Sequence, residues 1–158
     1  MDHEHVRIAV SDATTPGVEH VPARRLESGC WELIRSPLYA MQVAAGDVIR
    51  VLDSAAGSFE IVTRGGNVSV QFYLGEHEAD DIQATKDIAR GMAADLAVLG
   101  GHVDGMTAGL IACSIPSEAG FAAIEELFEA VTHRHPGAQW QYGNVYDSAT
   151  GEPLRWWE

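Results

Sequence analysis

The sequence predicts an α+β fold, with an antiparallel β meander or barrel over residues 1–66 and a mixed α+β half over residues 67–158, joined in one compact unit. Three observations carry this expectation. Short apolar runs recur through the first half about every 8–12 residues with turn residues between them. From Asn67 to Leu74, apolar and polar residues alternate strictly. Beyond Asp80 the apolar period lengthens to that of a helix. The 158 residues suit a single domain, usually about 100–200 residues long.

The elements follow in order. RIAV opens a strand; CWELI, YAMQV, DVIRVLD and SFEIVT continue the series, separated by Ser-Pro, Ala-Gly-Asp and Ala-Ala-Gly-Ser. SPLYAMQVAAGDVIRV is the most strongly patterned of these stretches. Pro37 biases Ser36 to extended geometry. Gly46 supplies the positive φ of a tight turn, and the Asp47 side chain accepts backbone N–H groups there. Gly65-Gly66-Asn67 forms a turn, and in the strand after it Val68, Val70, Phe72 and Leu74 share one face.

A helix is expected from Asp80 to Leu99, with Ile82, Ile88, Met92, Leu96 and Leu99 on its apolar face. Asp80 or Asp81 serves as its N-cap and Gly100-Gly101 as its stop. Gly91 inside it points to a close packing contact. LIACSI is apolar on both faces and reads as a central strand. A second helix follows Ser117, turns Phe121, Ile124, Leu127, Phe128 and Val131 inward, and stops before Pro136-Gly137. The chain closes with QWQYGNVY, a turn at Ala149-Thr150-Gly151, and LRWW. Strand, helix, strand, helix, strand, strand is a βαβαββ order, which resembles the ferredoxin-like arrangement.

Composition excludes several functions. Ten basic against 23 acidic residues give a formal charge of −13, and no arginine cluster interleaves with aromatics. Nucleic acid and anionic membrane surfaces are therefore not expected partners. MDHEHVRIAV lacks a basic region followed by a long apolar one, so a signal peptide is not expected there, and no stretch approaches the ~20 apolar residues of a membrane helix. Cys30 and Cys113 stand in no recognised spacing, so a reducing, cytoplasmic setting is expected.

Candidate chemistry is sparse. His3 could join the amino terminus in holding a square-planar metal, but such tails mostly bind metal adventitiously. His133 and His135 suit the C-terminal end of a helix, and His77 lies in an acidic turn. Cys113 reads as a core thiol; Cys30, beside Trp31, is expected to be partly exposed. Ser114 is in no nucleophile elbow. Neither metal nor cofactor is expected. Trp140, Tyr142 and Tyr146 alternate on one face of the penultimate strand, and Trp156 and Trp157 point to opposite faces if their segment is a strand.

VEHVPARRL followed by GCWELIRSPLYA, then AAGDVIRV, GGNVSVQF and finally WQY occur in this order. In that series the chain resembles a bacterial domain-of-unknown-function family, number 4265, over most of its length beyond Val18. Arg35-Ser36 stands before Pro37 where the family pattern expects Asn or Asp. The resemblance implies a barrel-plus-α/β build and no agreed reaction. It places Glu19, Tyr39, Asp47 and Asn67 at matching motif positions.

The leading expectation is a non-catalytic accessory or binding protein holding a small molecule or partner protein between its halves, with Tyr39, Asn67, Trp140 and Tyr142 as binding residues. One alternative is a small cofactor-free biosynthetic enzyme using Glu19 or Asp47 as general acid or base. Another is an acidic immunity or inhibitor protein. A homodimer is compatible with each.

Overall fold

The computed structural model describes residues 4–10 and 17–158. It has the expected α+β class, in two antiparallel sheets and two helices. The first sheet is a meander of β1 (Glu4–Val10), β2 (Gly17–Arg25), β3 (Cys30–Leu33), β4 (Val48–Asp53) and β5 (Ser58–Thr63), each pairing with the next. Their inward side chains, among them Val6, Ile8, Val21, Leu33 and Ile49, make one apolar core. The sheet curls until its ends meet: the Ala9 N–H donates to Gly57 C=O at 2.8 Å, joining β1 to the β4–β5 turn.

Two first-half expectations need correction. YAMQV is not a strand, because Gln42 takes a φ of 72° and breaks the extended backbone. Gly17–Arg25 is a strand the apolar-run reading passes over. It carries Pro22 opposite His5 and mixes charges into its outer face, which hides its period.

The second sheet has the order β7-β8-β6-β9, with β6 (Asn67–Tyr73), β7 (His102–Thr107), β8 (Leu110–Pro116) and β9 (Gln139–Tyr142). Helices α1 (Ile82–Val98) and α2 (Phe121–Arg134) pack on one side of it. The element order is thus β-α-β-β-α-β, that of a split β-α-β unit, and not the expected βαβαββ. HVDGMT forms an extra strand before LIACSI, which does take the central place. LRWW forms none; the end of the chain contributes a single bridge, Tyr146 to Pro153. Trp156 and Trp157 lie in a turn, their rings edge to face at 5.4 Å.

β6 behaves as its alternation demands. Val68, Val70 and Phe72 are fully buried against the helices, with Ile124, Phe128, Met92 and Leu96 opposite them. Asp81 caps α1 by accepting the Ala84 N–H at 3.0 Å. At the other end Gly101 N–H reaches Leu96 C=O (2.8 Å) and Gly100 N–H reaches Ala97 C=O (3.1 Å), the Schellman pattern. Ile82, expected on the apolar face, is exposed.

Gly91 departs from expectation. A Cβ built there meets nothing within 4 Å, so no contact inside the chain requires a glycine. Gly91→Ala is expected to stabilise the fold by about 0.5–1 kcal/mol, because alanine loses less backbone entropy in a helix. Thermal melting checks this: the midpoint should rise by roughly 2–4 °C per kcal/mol.

Candidate functional site

The residues shared with the family pattern meet at a loop. Between β3 and β4 the chain runs from residue 34 to 47 without regular structure, yet Ser36, Ala40, Val43, Ala44 and Asp47 on it are buried. Buried backbone N–H groups outside helices and sheets need other partners. Glu19, from β2, supplies three: its carboxylate accepts Leu38 N–H (2.7 Å), Tyr39 N–H (2.8 Å) and Ala40 N–H (2.9 Å). Tyr39 itself turns its ring outward and is half exposed.

Asp47 closes the other end of the loop. Its carboxylate accepts Ala44 N–H (3.0 Å) and Gly65 N–H (2.8 Å), as its place after Gly46 predicts, and it pairs with Arg64 at 3.3 Å. Arg64 also donates to Gln42 C=O (2.7 Å) and lies over the Trp156 ring at 5.5 Å. Burial pushes the Asp47 carboxyl above its ordinary 3.8, outweighing the N–H donors and Arg64 that favour its charge. A raised folded-state pKa means the fold holds this proton more tightly than the unfolded chain does. The associated stability is present below pH 3.8 and is lost as pH rises through the folded value. Over that range the wild type should therefore lose stability relative to the non-titrating Asp47→Asn, a difference readable from denaturant unfolding of the two proteins at successive pH values.

The loop's inner side is stitched to the second sheet. The Ser36 N–H donates to Asp104 Oδ2 (2.8 Å), to which the Ser114 hydroxyl also donates. With its proton so committed, Ser114 accepts from the Ser36 hydroxyl at 2.5 Å, and Ser36 in turn accepts Ala45 N–H at 3.0 Å. Serine thus fills the polar role at the position before Pro37. Asn67 donates to Ala45 C=O at 2.8 Å, and Gln71 to Leu38 C=O at 3.1 Å. Behind them the fully buried Asn144 accepts Ser69 N–H and donates to Asn67 C=O. Among the described residues no buried side-chain nitrogen or oxygen lacks a partner.

Gln42 joins this network through Arg64 and differs from its other members in backbone conformation. Its φ of 72° is unusual for a long side chain and costs on the order of 1 kcal/mol or more. Three bonds hold it there: Gln42 N–H to Gly143 C=O (2.7 Å), Arg64 to Gln42 C=O, and Ser148 N–H to Gln42 Oε1 (3.0 Å). Beside it opens a depression of about 370 Å³ lined by Ala9, Met41, Gln42, Ser58, Phe59 and Ile61.

Tyr39 and Asp47 therefore lie on one loop, with Glu19 from β2 and Asn67 from β6 bonded to it, whereas Trp140 and Tyr142 are not among them. Trp140 stacks on Phe128 at 5.4 Å on the helix side of the second sheet. Tyr142 donates to Glu125 at 2.8 Å and meets Phe121 edge to face at 5.7 Å; burial first, then Glu125, raises its pKa. Cys30 is buried rather than partly exposed, and Cys113 is fully buried, with burial raising its pKa. No three of the described His, Cys, Asp and Glu residues converge as a metal site would need, and His3 lies outside the described residues. Nothing in the sequence marks Gln42 or Arg64. Asn144, in a Gly-Asn turn, carries only a weak signal.

A family model described as Domain of unknown function (DUF4265) matches residues 19–140. No curated protein matches. A crystal structure of a hypothetical protein from Neisseria gonorrhoeae superimposes with a TM-score of 0.67 at 10% identity, covering 90% of this chain and 95% of that one. At that identity the likeness concerns the fold. Among the described residues, no helix is long and apolar enough to cross a membrane.

Proposed function

The chain belongs to the DUF4265 family, and we propose that it is a non-catalytic binding protein that takes a small molecule in the depression beside Gln42. The observation that supports this reading is a residue with a strained backbone, held by two backbone bonds and one side-chain bond, at the rim of a largely apolar hollow on the first sheet. Strain of this kind persists where surrounding structure enforces it, and it gathers at ligand sites. A volume of about 370 Å³ lies in the range of small-molecule pockets.

The lining suggests the ligand class. Met41, Phe59 and Ile61 suit an apolar body, while the Gln42 amide and Ser58 hydroxyl offer hydrogen bonds to one polar end. With a net charge of −13 the protein repels anions, so the ligand is neutral or cationic. Glu19 and Asp47 belong to the scaffold in this reading, since between them they accept five backbone N–H groups. A general base needs a lone pair directed at substrate. The two unpaired, buried cysteines fit a cytoplasmic location.

A thermal-shift screen of neutral and cationic metabolites tests the proposal. Ligands should raise the wild-type midpoint and lose roughly tenfold or more in affinity on Gln42→Ala, the cost of about 1.4 kcal/mol. Gln42→Ala keeps the backbone bonds and should itself melt close to the wild type. Ligands that stabilise Gln42→Ala and Ile61→Trp as well as the wild type would place binding elsewhere.

A further inference from the structure

The inner face of the curled first sheet carries charge at one end. Residues directly opposite each other in a sheet share a face. Glu4 lies opposite the buried Ala23, Trp31 opposite the buried Ile49, and Arg25 opposite Trp31, so all three turn inward. The Arg25 guanidinium stands over the Trp31 ring, 4.7 Å from its centre, and bonds to Glu4 at 3.1 Å. Beside them opens a hollow of about 280 Å³ with Val6, Trp31 and Val51 as apolar walls.

The hollow lies in the seam between β1 and the β4–β5 turn, and several hydrogen-bond donors face it. Among the described residues, Ala9 N–H to Gly57 C=O is the one main-chain bond across this seam. Pro22, opposite His5, has no N–H and gives its C=O to Ile34 N–H at 2.9 Å, so the main-chain groups of His5 turn away from β2. Arg7 and Ala9 follow at the same parity, and the Ala9 bond to Gly57 has that direction. The N–H groups of His5 and Arg7 are thus aimed at the seam. The Arg7 guanidinium reaches across it to Ser54 C=O at 3.4 Å.

Local charge gives the ligand class. Two arginines and one acid, Glu4, line this hollow, whereas the hollows between α1 and α2 each hold two acids and one arginine. The Gln42 depression has no charged lining residue, so there the net charge of the protein decides; here the arginines do. The bond to Glu4 does not use Arg25 up. The two side chains are 63% and 59% exposed, and an exposed pair contributes little. A guanidinium has five N–H donors in a fork that fits a carboxylate, and stacking on Trp31 already orients it. The volume is slightly below the ~300–1,000 Å³ of drug-sized sites, which suits an acid of about benzoate size.

We propose that this hollow binds a small carboxylic acid, its carboxylate on Arg25 with Arg7 and the seam N–H groups alongside, and its apolar body against Val6, Trp31 and Val51. The site is separate from the Gln42 depression, and neither proposal depends on the other.

The test titrates benzoate, phenylacetate and hexanoate into the ¹⁵N-labelled full chain, with the Trp31 indole N–H resonance, assigned through Trp31→Phe, as the reporter. At least one acid should shift it saturably with a Kd of about 1 mM or below, and the matching amide should bind roughly tenfold more weakly or worse. Arg25→Gln should weaken binding about tenfold or more. Glu4→Gln, which relieves Arg25 of its competitor, should instead tighten binding by about two- to fivefold. An ion pair that served the fold alone would not give these opposite signs. Melting curves check folding, and Glu4→Gln carries the test by itself if Arg25→Gln does not fold. Gln42→Ala should leave the titration unchanged. No saturable shift from any of the three acids up to about 20 mM, equal binding of acid and amide, or Glu4→Gln failing to tighten binding would overturn the proposal. Loss of binding in Gln42→Ala would move the acids to the other site and would also overturn it.

Discussion

Asp47→Ala should cost about 3–5 kcal/mol and lower the melting midpoint by on the order of 10 °C. The truncation removes one carboxylate but strands three donors. The fully buried Ala44 N–H is left without an acceptor, at about 1–3 kcal/mol for a buried unpaired donor, while the Gly65 N–H, on an exposed residue, loses its acceptor at smaller cost. Arg64, only partly solvated, loses its ion partner and keeps Gln42 C=O. The upward shift of Asp47's own pKa shows that burying this charge is itself unfavourable. The cost of truncation is therefore the cost of orphaned partners, and not the net worth of the pair. Adding Arg64→Ala to Asp47→Ala should cost less than Arg64→Ala does alone, a coupling measured by a double-mutant cycle in denaturant. Additive costs would mean the two side chains act separately.

Gly65→Ala should be at least as damaging, at about 4 kcal/mol or more, the range reserved for severe packing faults. A Cβ on Gly65 would stand 2.6 Å from the Gly46 Cα, backbone against backbone, with no flexible side chain to yield. The turn before β6 and the turn before β4 would have to part, and the Asp47 bond to Gly65 N–H would go with them. Gly66→Ala is the control. A Cβ there meets nothing within 4 Å, and only its φ of 90° resists, at about 1–2 kcal/mol. Similar melting points for the two variants would show that the Gly46–Gly65 contact is not tight in solution.

How much of this could be read in advance depended on the range of the interaction. The β6 alternation, the Asp81 cap, the Gly100-Gly101 stop and the central place of LIACSI are local patterns, and each is present. Asp47's bond to Ala44 is also local, three residues apart, and the Ala-Gly-Asp turn announced it. Glu19's role was not legible, because its three partners lie 19 to 21 residues away and backbone amides carry no sequence signature.

Edge and terminal segments misled for a different reason. β7 is an edge strand interrupted by an irregularity between Val103 and Gly105, so it lacks the apolar alternation of a buried strand. Trp156 and Trp157 suggested a strand by composition, but are used to cover the aromatic cluster and Arg64. At Gln42, tertiary bonds overrode the extended geometry of YAMQV.

The claim on which the rest stands is that carboxylates clamp an irregular loop between two layers, so that residues 34–47 are as firmly held as the sheets. Native-state hydrogen exchange at single-residue resolution reads this directly. The amides of Leu38, Tyr39, Ala40 and Ala44, bonded to Glu19 and Asp47, should exchange as slowly as those of β6. Glu19→Gln should speed the first three by at least tenfold while leaving β6 protected. Exchange of these four amides at the rate of an open loop, with β6 still protected, would contradict the account.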